Sequence, residues 1–412
     1  MDQVGVWVLG GYQSDFSRNL TREGRDVADL TGEVVDATLA SAGLDGTEIE
    51  VVHVGNAFGE LFTGQAHLGA MPATVRPDLW GTPSGRHEAA CASGGIAVLA
   101  AMSDLRAGNY DCALVLGLEL EKTVPGDQAA GHLGAAAWIG HEGEGARFIW
   151  PSMFSGLADE YDCRYGLDER HLHAIAALNL ANARRNPNAQ TRGWTVPDLL
   201  SELGSDDAVN PVVEGRMRRY DCSQVTDGGA GVVLVSDAWR RAHPHASATP
   251  AARVLGWGHR TVGLGLHQKL RRDAADPYLM PHVRRAVTDA FRRAEVTLDD
   301  LDGFETHDCF TPSEYLAIDH IGLTDPGESW KAIENGEIEI GGRLPINPSG
   351  GLIGGGHPVG ASGVRMLVDA TKQVSGTAGG YQVEGARTFG TLNFGGSTAT
   401  TVTLVVGAVD AA

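Results

Sequence analysis

The chain has 412 residues, of which 42% are hydrophobic and 20% charged, as in a globular protein large enough for more than one packed unit. Its formal net charge of -20 argues against nonspecific nucleic-acid binding, which needs a basic surface to displace counterions. A local arginine patch can still bind a phosphate-bearing small molecule on an acidic protein.

The cysteines and the apolar segments indicate a reducing compartment. The five cysteines are odd in number and form no C-x-x-C pair, so neither a disulfide framework nor a zinc site is expected. The first residues, MDQVGVWVLGG, predict a strand and not a signal peptide. No apolar stretch is long enough to span a bilayer, and we expect a cytoplasmic protein.

Taken in chain order, hydrophobic periodicity predicts two similar series of helices and strands. The first series contains a helix over residues 26–43, a helix from Cys91 to about Arg106, the strand in YDCALVLGLELE and a strand over 229–237. The second series contains a helix over 281–295, a helix from Gly360 to about Gln373, the strand in ARTFGTLNFGG and a strand over 398–407. Any two α/β segments share part of this pattern, but the matching order favours an internal repeat.

The repeat predicts an α/β fold of two halves, with strands buried between helices. The last two strands are adjacent in the second half, whereas residues 122–222 separate them in the first half. We therefore predict that residues 1–121 and 223–246 form the first half and that residues 247–412 form the second. Residues 122–222 would be an inserted lid or loop domain.

Four polar loops of this fold carry residues suited to chemistry. Ligands of open α/β sheets bind where strand ends meet helix starts, so a duplicated fold should bring these loops together. The loops are those that hold Cys91, His307 with Cys309, His357, and Asn393 with Gly395.

Cys91 and His357 are a candidate nucleophile and base. Cys91 lies in HEAACASGGIAVLAAM, directly before an apolar helix whose dipole and unpaired N–H groups would favour the reactive thiolate. A small buried cysteine packed against a helix start would show the same local sequence. His357 lies in NPSGGLIGGGHPVGASG, a glycine-rich segment that can pass close to a ligand and hold the imidazole on a constrained turn.

Further candidate groups follow two later strands. His307 and Cys309 are two residues apart and share a face of an extended backbone, where they could donate to a thioester oxygen and shuttle a proton. Cys309 alone is also typical of a buried structural thiol. Asn393 precedes Gly395, which could direct a backbone N–H at a substrate oxygen, although most glycines at strand ends form turns.

Together, the motifs CASGG, GGHPVGASG and HDCF resemble those of the thiolase superfamily, in particular the sterol carrier protein X type, over essentially the whole chain. The closing NFGGS resembles the Asn-x-Gly of that subgroup. The resemblance implies two βαβαβαββ halves in α-β-α-β-α layers and a loop domain that binds coenzyme A. It also implies cleavage of a 3-ketoacyl-CoA by coenzyme A, or the reverse Claisen condensation, with coenzyme A as a substrate and no metal or other cofactor.

The resemblance implies a role for each candidate residue. Cys91 would attack the substrate and hold the acyl group. His357 would activate Cys91 and help to bind the thioester oxygen, and His307 would lie in the same oxyanion pocket. Cys309 would act as the acid and base. The backbone N–H groups of Cys91 and Gly395 would stabilise the acyl-enzyme oxygen.

The resemblance also suggests residues that bind the substrate, and an assembly. Asn393 is one candidate, and Met153 is a candidate for the acyl pocket, although a core methionine fits that position better. Five arginines are candidates for the nucleotide phosphates, each individually more typical of a solvated surface: Arg184, Arg185, Arg216, Arg218 and Arg219. The family implies a homodimer or a dimer of dimers, and a small partner subunit would leave no trace in this sequence.

Three alternatives remain open at this stage. A retro-aldolase of the thiolase fold would act on steroid side-chain CoA esters, but its relatives lack the thiolase nucleophile that Cys91 provides. A β-ketoacyl synthase also uses one cysteine and two histidines in its active site, but the motifs HDCF and GGHPVGASG favour a thiolase. A non-catalytic acyl-CoA or lipid-binding scaffold would explain the missing second thiolase cysteine, which Cys309 replaces. The sequence leaves the acyl chain and the direction of reaction undetermined.

Overall fold

The computed structural model alternates strands and helices and describes residues 4–196, 200, 204–243 and 252–409. The strands are β1 Val6–Gln13, β2 Val51–Gly55, β3 Ser84–His87, β4 Cys112–Glu119, β5 Val212–Glu214, β6 Met217–Arg218, β7 Gly228–Ser236, β8 Ala252–Thr261, β9 Gly303–Thr306, β10 Thr388–Gly395 and β11 Thr400–Ala408. The α-helices are α1 Val27–Ala42, α2 Gly59–Thr63, α3 Met71–Val75, α4 Ser93–Ala107, α5 Gly126–Gly134, α6 Ile149–Tyr165, α7 Glu169–Ala183, α8 Asp237–Ala242, α9 Leu266–Arg272, α10 Pro281–Ala294, α11 Thr311–Ile321, α12 Ser329–Glu334 and α13 Ser362–Val374.

The strand order confirms the internal repeat. Within the described residues, nine strands form one mixed sheet in the order β3-β2-β4-β7-β1-β8-β11-β10-β9. In the first half β2 and β4 are parallel, and β7 and β1 then add antiparallel to β4 in that order. In the second half β9 and β10 are parallel, and β11 and β8 add antiparallel to β10 in the same way. The two halves meet where β1 pairs antiparallel with β8.

The second half departs from the first at its outer edge. In the first half β3 pairs in parallel with β2 over four residues. At the corresponding edge of the second half, Ile346 forms an isolated parallel bridge with Phe304 of β9. Pro345, directly before this bridge, lacks the backbone N–H that would extend the ladder in one direction, and Asn347, with a φ of 50°, ends the extended backbone in the other.

The helices form the outer and central layers predicted for the fold. One apolar core lies between α1 and the outer face of the first half of the sheet. A second contains residues of α4, α13 and strands of both halves, which places these two helices at the centre. A third lies under α10 and α11 on the second half. The α-β-α-β-α arrangement is therefore confirmed.

Glycines allow the two central helices to cross at their first turns. A Cβ atom on Gly363 of α13 would lie 2.3 Å from the backbone nitrogen of Gly95 in α4, closer than real Cβ contacts. Only glycine fits at such a crossing. Because Cys91 and His357 lie just before these helices, the crossing brings their loops together.

The segment between β4 and β7 packs mainly on the second half. Tyr161 of α6 donates a hydrogen bond to Asp319 Oδ2 at 2.9 Å, and the ring of Phe154 stacks on Phe310 with centroids 4.6 Å apart. The domain limits given above remain predictions, and the limit between residues 246 and 247 lies outside the described residues. None of the described helices is long and apolar enough to cross a membrane.

We expect Gly363→Ala to lower the free energy of unfolding by about 1–3 kcal/mol, because the added methyl group overpacks the helix crossing. Urea denaturation followed by circular dichroism would measure the change. Gly131→Ala in α5 is the matched control, since a Cβ there meets no atom within 4 Å. Equal stability of the Gly363→Ala variant and the parent would show that the crossing tolerates a side chain.

Candidate active site

The four predicted loops meet, as expected for a duplicated fold. The sulfur of Cys91 and one ring nitrogen each of His307 and His357 lie within 4.8 Å of one another. Asn393 joins the cluster, because its Nδ2 donates to the carbonyl oxygen of Cys91 at 3.1 Å and lies 3.2 Å from Nδ1 of His307. The convergence of the loops is confirmed, whereas the catalytic roles remain predictions.

A strained turn presents Cys91 two residues before α4. Ala90 has a φ of 51°, in the left-handed region that a residue with a Cβ atom rarely adopts. The hydroxyl of Ser93 accepts from the backbone N–H of Ala89 at 2.9 Å and donates to the carbonyl of Ala90 at 2.6 Å. These two bonds hold the turn in place.

Burial of Cys91 opposes the thiolate that the helix start favours. Burial raises its pKa to about 12, and the carboxylates of Glu121 and Glu119 add to the rise. The backbone N–H groups of Gly396 and of Cys91 itself oppose this effect but do not outweigh it. The expectation of a thiolate counted the helix dipole and left out desolvation, which disfavours the charged form and acts in the opposite direction.

His357 is a neutral base with a free nitrogen. Its Nδ1 lies 2.7 Å from the hydroxyl of Ser362, and that hydroxyl donates to the carbonyl of Pro358 at 3.0 Å. Since the hydroxyl hydrogen is used in this way, Nδ1 carries the imidazole proton and Nε2 keeps its lone pair. Burial, with the nearby charge of Arg365, lowers the pKa of His357 to about 3.

His307 has the opposite tautomer and offers an N–H donor. The bond to the carbonyl of Cys91 identifies the nitrogen of the Asn393 amide, so Nδ1 of His307 accepts from that amide and Nε2 carries the proton. Nε2 is buried and has no hydrogen-bond partner among the described residues. Burial and the neighbouring His357 keep the pKa of His307 well below its usual value. This unpartnered N–H suits a substrate oxygen.

The hydrogen bonds of this cluster do not suit a metal ion. A cysteine and two histidines have the composition of a zinc site, but Nε2 of His307 carries a proton and its Nδ1 accepts from Asn393. Two ligand atoms remain, the sulfur of Cys91 and Nε2 of His357. Catalytic zinc sites use three protein ligands. The arrangement fits proton transfer and oxyanion binding better.

Buried carboxylates hold the loop that carries His357. Glu119 accepts from the backbone N–H of Gly360 at 2.8 Å, and Glu121 accepts from that of Val359 at 3.0 Å. Burial raises the pKa of Glu119 to about 7 and that of Glu121 well above its usual value. These two residues and their bonds were not identified from the sequence, where β4 is simply an apolar strand with an acidic end.

A third carboxylate ties the loop of His307 to the glycine-rich loop. Asp308 accepts from the backbone N–H groups of Leu352 at 2.6 Å and Ile353 at 3.1 Å. Nearby, Arg365 of α13 pairs with Glu305 of β9 at 2.6 Å, and both side chains are buried. Because Asp308 lies between His307 and Cys309 in the chain, these contacts fix both candidate residues relative to His357.

A second glycine N–H, that of Gly396, lies beside the nucleophile and contacts the sulfur of Cys91. The predicted donor Gly395 is next to it and packs against the backbone of the Cys91 loop, where a Cβ atom would lie 2.2 Å from the carbonyl oxygen of Ala89. The role of Gly395 as a donor to the acyl oxygen remains a prediction. The Gly-Gly pair in NFGGS was the only sequence signal for the N–H of Gly396.

A buried lysine supports the turn that carries Gly396. Lys269 of α9 donates through Nζ to the hydroxyl of Ser397 and to the carbonyl of Leu264, both at 2.8 Å. Its side chain is almost fully buried, and burial lowers its pKa to about 8. The lysine therefore connects α9 to the residue that directly follows the backbone donor.

Cys309 lines the same cavity as Cys91 and His357, and this cavity has a volume of about 380 Å³. Burial and the neighbouring Cys91 raise the pKa of Cys309 well above its usual value, so it is also a neutral thiol. The cavity wall is largely aromatic and aliphatic, and it includes Phe58, Leu133, Phe148, Ile149, Trp150, Phe154 and Phe310. Met153 does not line this cavity but packs in the core beneath it, which corrects its assignment to the acyl pocket.

The structure places one of the five predicted arginines at the cavity. Arg219 lines it and is exposed. Arg216 and Arg218 instead form ion pairs with aspartates of the insert at 2.7–2.8 Å. Arg184 and Arg185 are exposed just beyond the end of α7. Position in the chain could not distinguish these arginines, because exposure and ion pairing depend on the folded insert.

Family models match both halves of the chain. The model described as "Thiolase, N-terminal domain" matches residues 6–238, and "Thiolase C-terminal domain-like" matches residues 265–408. The chain belongs to the thiolase family. Members of this family bind acyl-CoA and coenzyme A, and this thiolase is an acyltransferase.

Curated relatives agree with this assignment, and solved structures share the fold. The acetyl-CoA acetyltransferase of Methanothermobacter thermautotrophicus is 30% identical over 95% of this chain and 96% of its own length. Human sterol carrier protein 2 is 26% identical over 97% of this chain and 71% of its own length. The Ltp2–ChsH2(DUF35) aldolase has a TM-score of 0.76 at 21% identity over 98% of each chain. Human mitochondrial 3-ketoacyl-CoA thiolase has a TM-score of 0.71 at 14% identity over 99% of each chain.

We expect the alkylation of Cys91 by iodoacetamide to quicken about tenfold per pH unit between about pH 7 and pH 10, without a plateau. The raised pKa leaves the thiolate as a minor species that grows as the pH rises through this range. Peptide mass spectrometry would follow the reaction, with a free cysteine peptide, whose pKa is about 8.5, as the control. A plateau below pH 8 at Cys91 would instead indicate a resting thiolate–imidazolium pair.

Proposed function

We propose that this thiolase cleaves a 3-ketoacyl-CoA with coenzyme A, or catalyses the reverse condensation, through an acyl group carried on Cys91. The observation that supports the proposal most is the meeting of three groups in one place. These are the thiol of Cys91, the free Nε2 of His357 and the unpartnered N–H of His307. A nucleophile, a base and an oxyanion donor are the groups that acyl transfer needs.

In the first half-reaction, Nε2 of His357 takes the thiol proton of Cys91 while the sulfur attacks the 3-keto carbon of the substrate. The bond between C2 and C3 then breaks, and its electron pair passes to C2 to give the enolate of acetyl-CoA. The N–H of His307 and the newly protonated His357 donate to the enolate oxygen. The thiol of Cys309 protonates C2, so acetyl-CoA leaves and Cys309 is left as a thiolate.

In the second half-reaction, the thiolate of Cys309 takes the proton of free coenzyme A. The resulting coenzyme A thiolate attacks the acyl carbon on Cys91, and the backbone N–H groups of Cys91 and Gly395 donate to the oxygen of this intermediate. One such donor is typically worth about 3 kcal/mol of barrier. The sulfur of Cys91 leaves and recovers its proton from His357, which restores both neutral groups.

Burial explains why the thiol of Cys91 and the imidazole of His357 would both be neutral before the substrate binds. The site holds no resting ion pair, because burial disfavours both the thiolate and the imidazolium. Charge therefore develops only when the substrate supplies an oxygen for the donors. We further propose that Arg219 contacts a phosphate of coenzyme A at the cavity mouth, and that the protein is a cytoplasmic homodimer or dimer of dimers, as the resemblance implies.

The first test follows the loss of acetoacetyl-CoA and of longer 3-ketoacyl-CoA esters with and without free coenzyme A. We expect loss that depends on free coenzyme A, with ping-pong kinetics, because the acyl group waits on Cys91 for the second substrate. Loss that does not require coenzyme A would indicate hydrolysis, with water in place of coenzyme A as the acyl acceptor. No loss with any 3-keto ester would favour the scaffold alternative, or the retro-aldol alternative if a 3-hydroxyacyl-CoA is cleaved instead.

Substitution of Cys309 tests the assignment of the acid and base. We expect Cys309→Ala to lower kcat roughly 100-fold or more, because general acid–base groups contribute about 10²–10⁴. Cys91→Ala should abolish turnover. Cys163→Ala, at the exposed cysteine of α6, is the matched control and should leave kcat unchanged. Full turnover in Cys309→Ala would show that another group moves the proton.

A further inference from the structure

A second and larger cavity lies behind the turn that carries Gly396. It has a volume of about 760 Å³, and its wall contains many residues with little or no side chain. The alanines that line this cavity alone are Ala57, Ala89, Ala90, Ala135, Ala137 and Ala399. We call it the alanine-lined cavity, and we call the 380 Å³ space around Cys91, Cys309 and His357 the acid–base cavity.

The two cavities share a border at the nucleophile. Phe58, Ala136 and Gly396 line both of them. Gly396 is the residue whose N–H faces the sulfur of Cys91, and Ala89 and Ala90, the two residues before Cys91, line the alanine-lined cavity. A group attached to the sulfur is therefore within reach of both spaces.

Acyl transfer from Cys91 needs two such spaces. Free coenzyme A must approach the acyl carbon from the side of His357 and Cys309, which line the acid–base cavity alone. The rest of the acyl group must then lie where it does not block that approach. The alanine-lined cavity begins at the same backbone turn and provides this space.

Charge distinguishes which substrate part each cavity accepts. Arg219 lines the acid–base cavity together with Asp127 and Glu121, and among the described residues it is the one arginine or lysine that lines either cavity. A cation there suits the phosphates of coenzyme A. The alanine-lined cavity carries the carboxylates of Glu60, which pairs with Arg86, and of Glu88. Without a lining cation it offers no partner to a nucleotide diphosphate, whereas an uncharged acyl chain needs none.

We propose that the alanine-lined cavity holds the tail of the acyl group on Cys91, with Phe58 and Ala136 at the passage between the cavities. The substrate class is then a 3-ketoacyl-CoA whose transferred acyl group is longer than acetyl. This inference rests on the proposed thiolase activity. Ala136 is the specificity-determining position, because a larger side chain there would close the passage.

The same substitution at three positions tests the inference. Ala136→Phe narrows the passage, Ala135→Phe fills part of the alanine-lined cavity, and Ala130→Phe is the matched control because Ala130 lines the acid–base cavity alone. All three sites are at least partly exposed, and because Ala136 also packs against the apolar cluster around Phe58 and Phe62, circular dichroism would check that each variant folds. Steady-state thiolysis of acetoacetyl-CoA and of a 3-ketohexadecanoyl-CoA would be measured for each variant.

We expect Ala136→Phe, and to a smaller extent Ala135→Phe, to lower kcat/KM for the long ester roughly tenfold or more relative to acetoacetyl-CoA. Ala130→Phe should raise KM for coenzyme A by the same factor with both esters. The inference is wrong if Ala136→Phe and Ala135→Phe affect both esters equally, or if Ala130→Phe alone changes the preference.

The parent enzyme separates failure of this inference from failure of the proposed function. A parent that cleaves acetoacetyl-CoA but not the long ester would contradict the acyl site and leave the thiolase activity standing. A parent that cleaves neither ester in the presence of free coenzyme A would contradict the proposed function itself. Coenzyme A-dependent cleavage of both esters, together with a lower preference for the long ester in Ala136→Phe, would support the acyl site and the thiolase activity alike.

Discussion

The contact between the first turns of α4 and α13 determines how closely the two halves approach each other. Gly363 and Gly95 meet backbone to backbone, where a single Cβ atom would lie 2.3 Å from its neighbour. The loops that carry Cys91 and His357 lie directly before these turns. Because this crossing has no side chains, Cys91 from one half and His357 from the other come within 4.8 Å of each other.

Around that crossing, the protein holds its reactive groups by networks of buried hydrogen bonds and keeps them uncharged. Ser362 fixes the tautomer of His357, and Asn393 fixes that of His307. The carboxylates of Glu119 and Glu121 hold the glycine-rich loop through its backbone N–H groups. A buried polar network of this kind is rigid when its groups have hydrogen-bond partners. The N–H of His307, which has no partner among the described residues, is then ready for the substrate without reorganisation.

Much of this architecture could be predicted from the sequence, because it depends on local patterns. Helix and strand periodicity revealed the repeat, and the glycine-rich surroundings of Cys91 and His357 identified the site. The raised pKa of Cys91 could not be predicted, since desolvation depends on tertiary burial that no local motif encodes. The role of Gly396 depends on where the turn after β10 meets the loop of Cys91, which only the folded structure shows.

The central claim is that Cys91 carries the acyl group, and peptide mass spectrometry tests it most directly. The protein would be mixed with a 3-ketoacyl-CoA in the absence of free coenzyme A, quenched in acid and digested. The account predicts an acyl group two carbons shorter than the substrate on the peptide that contains Cys91, lost when free coenzyme A is added before quenching. Substrate loss with an unmodified Cys91, or an acyl group on another residue, would contradict it.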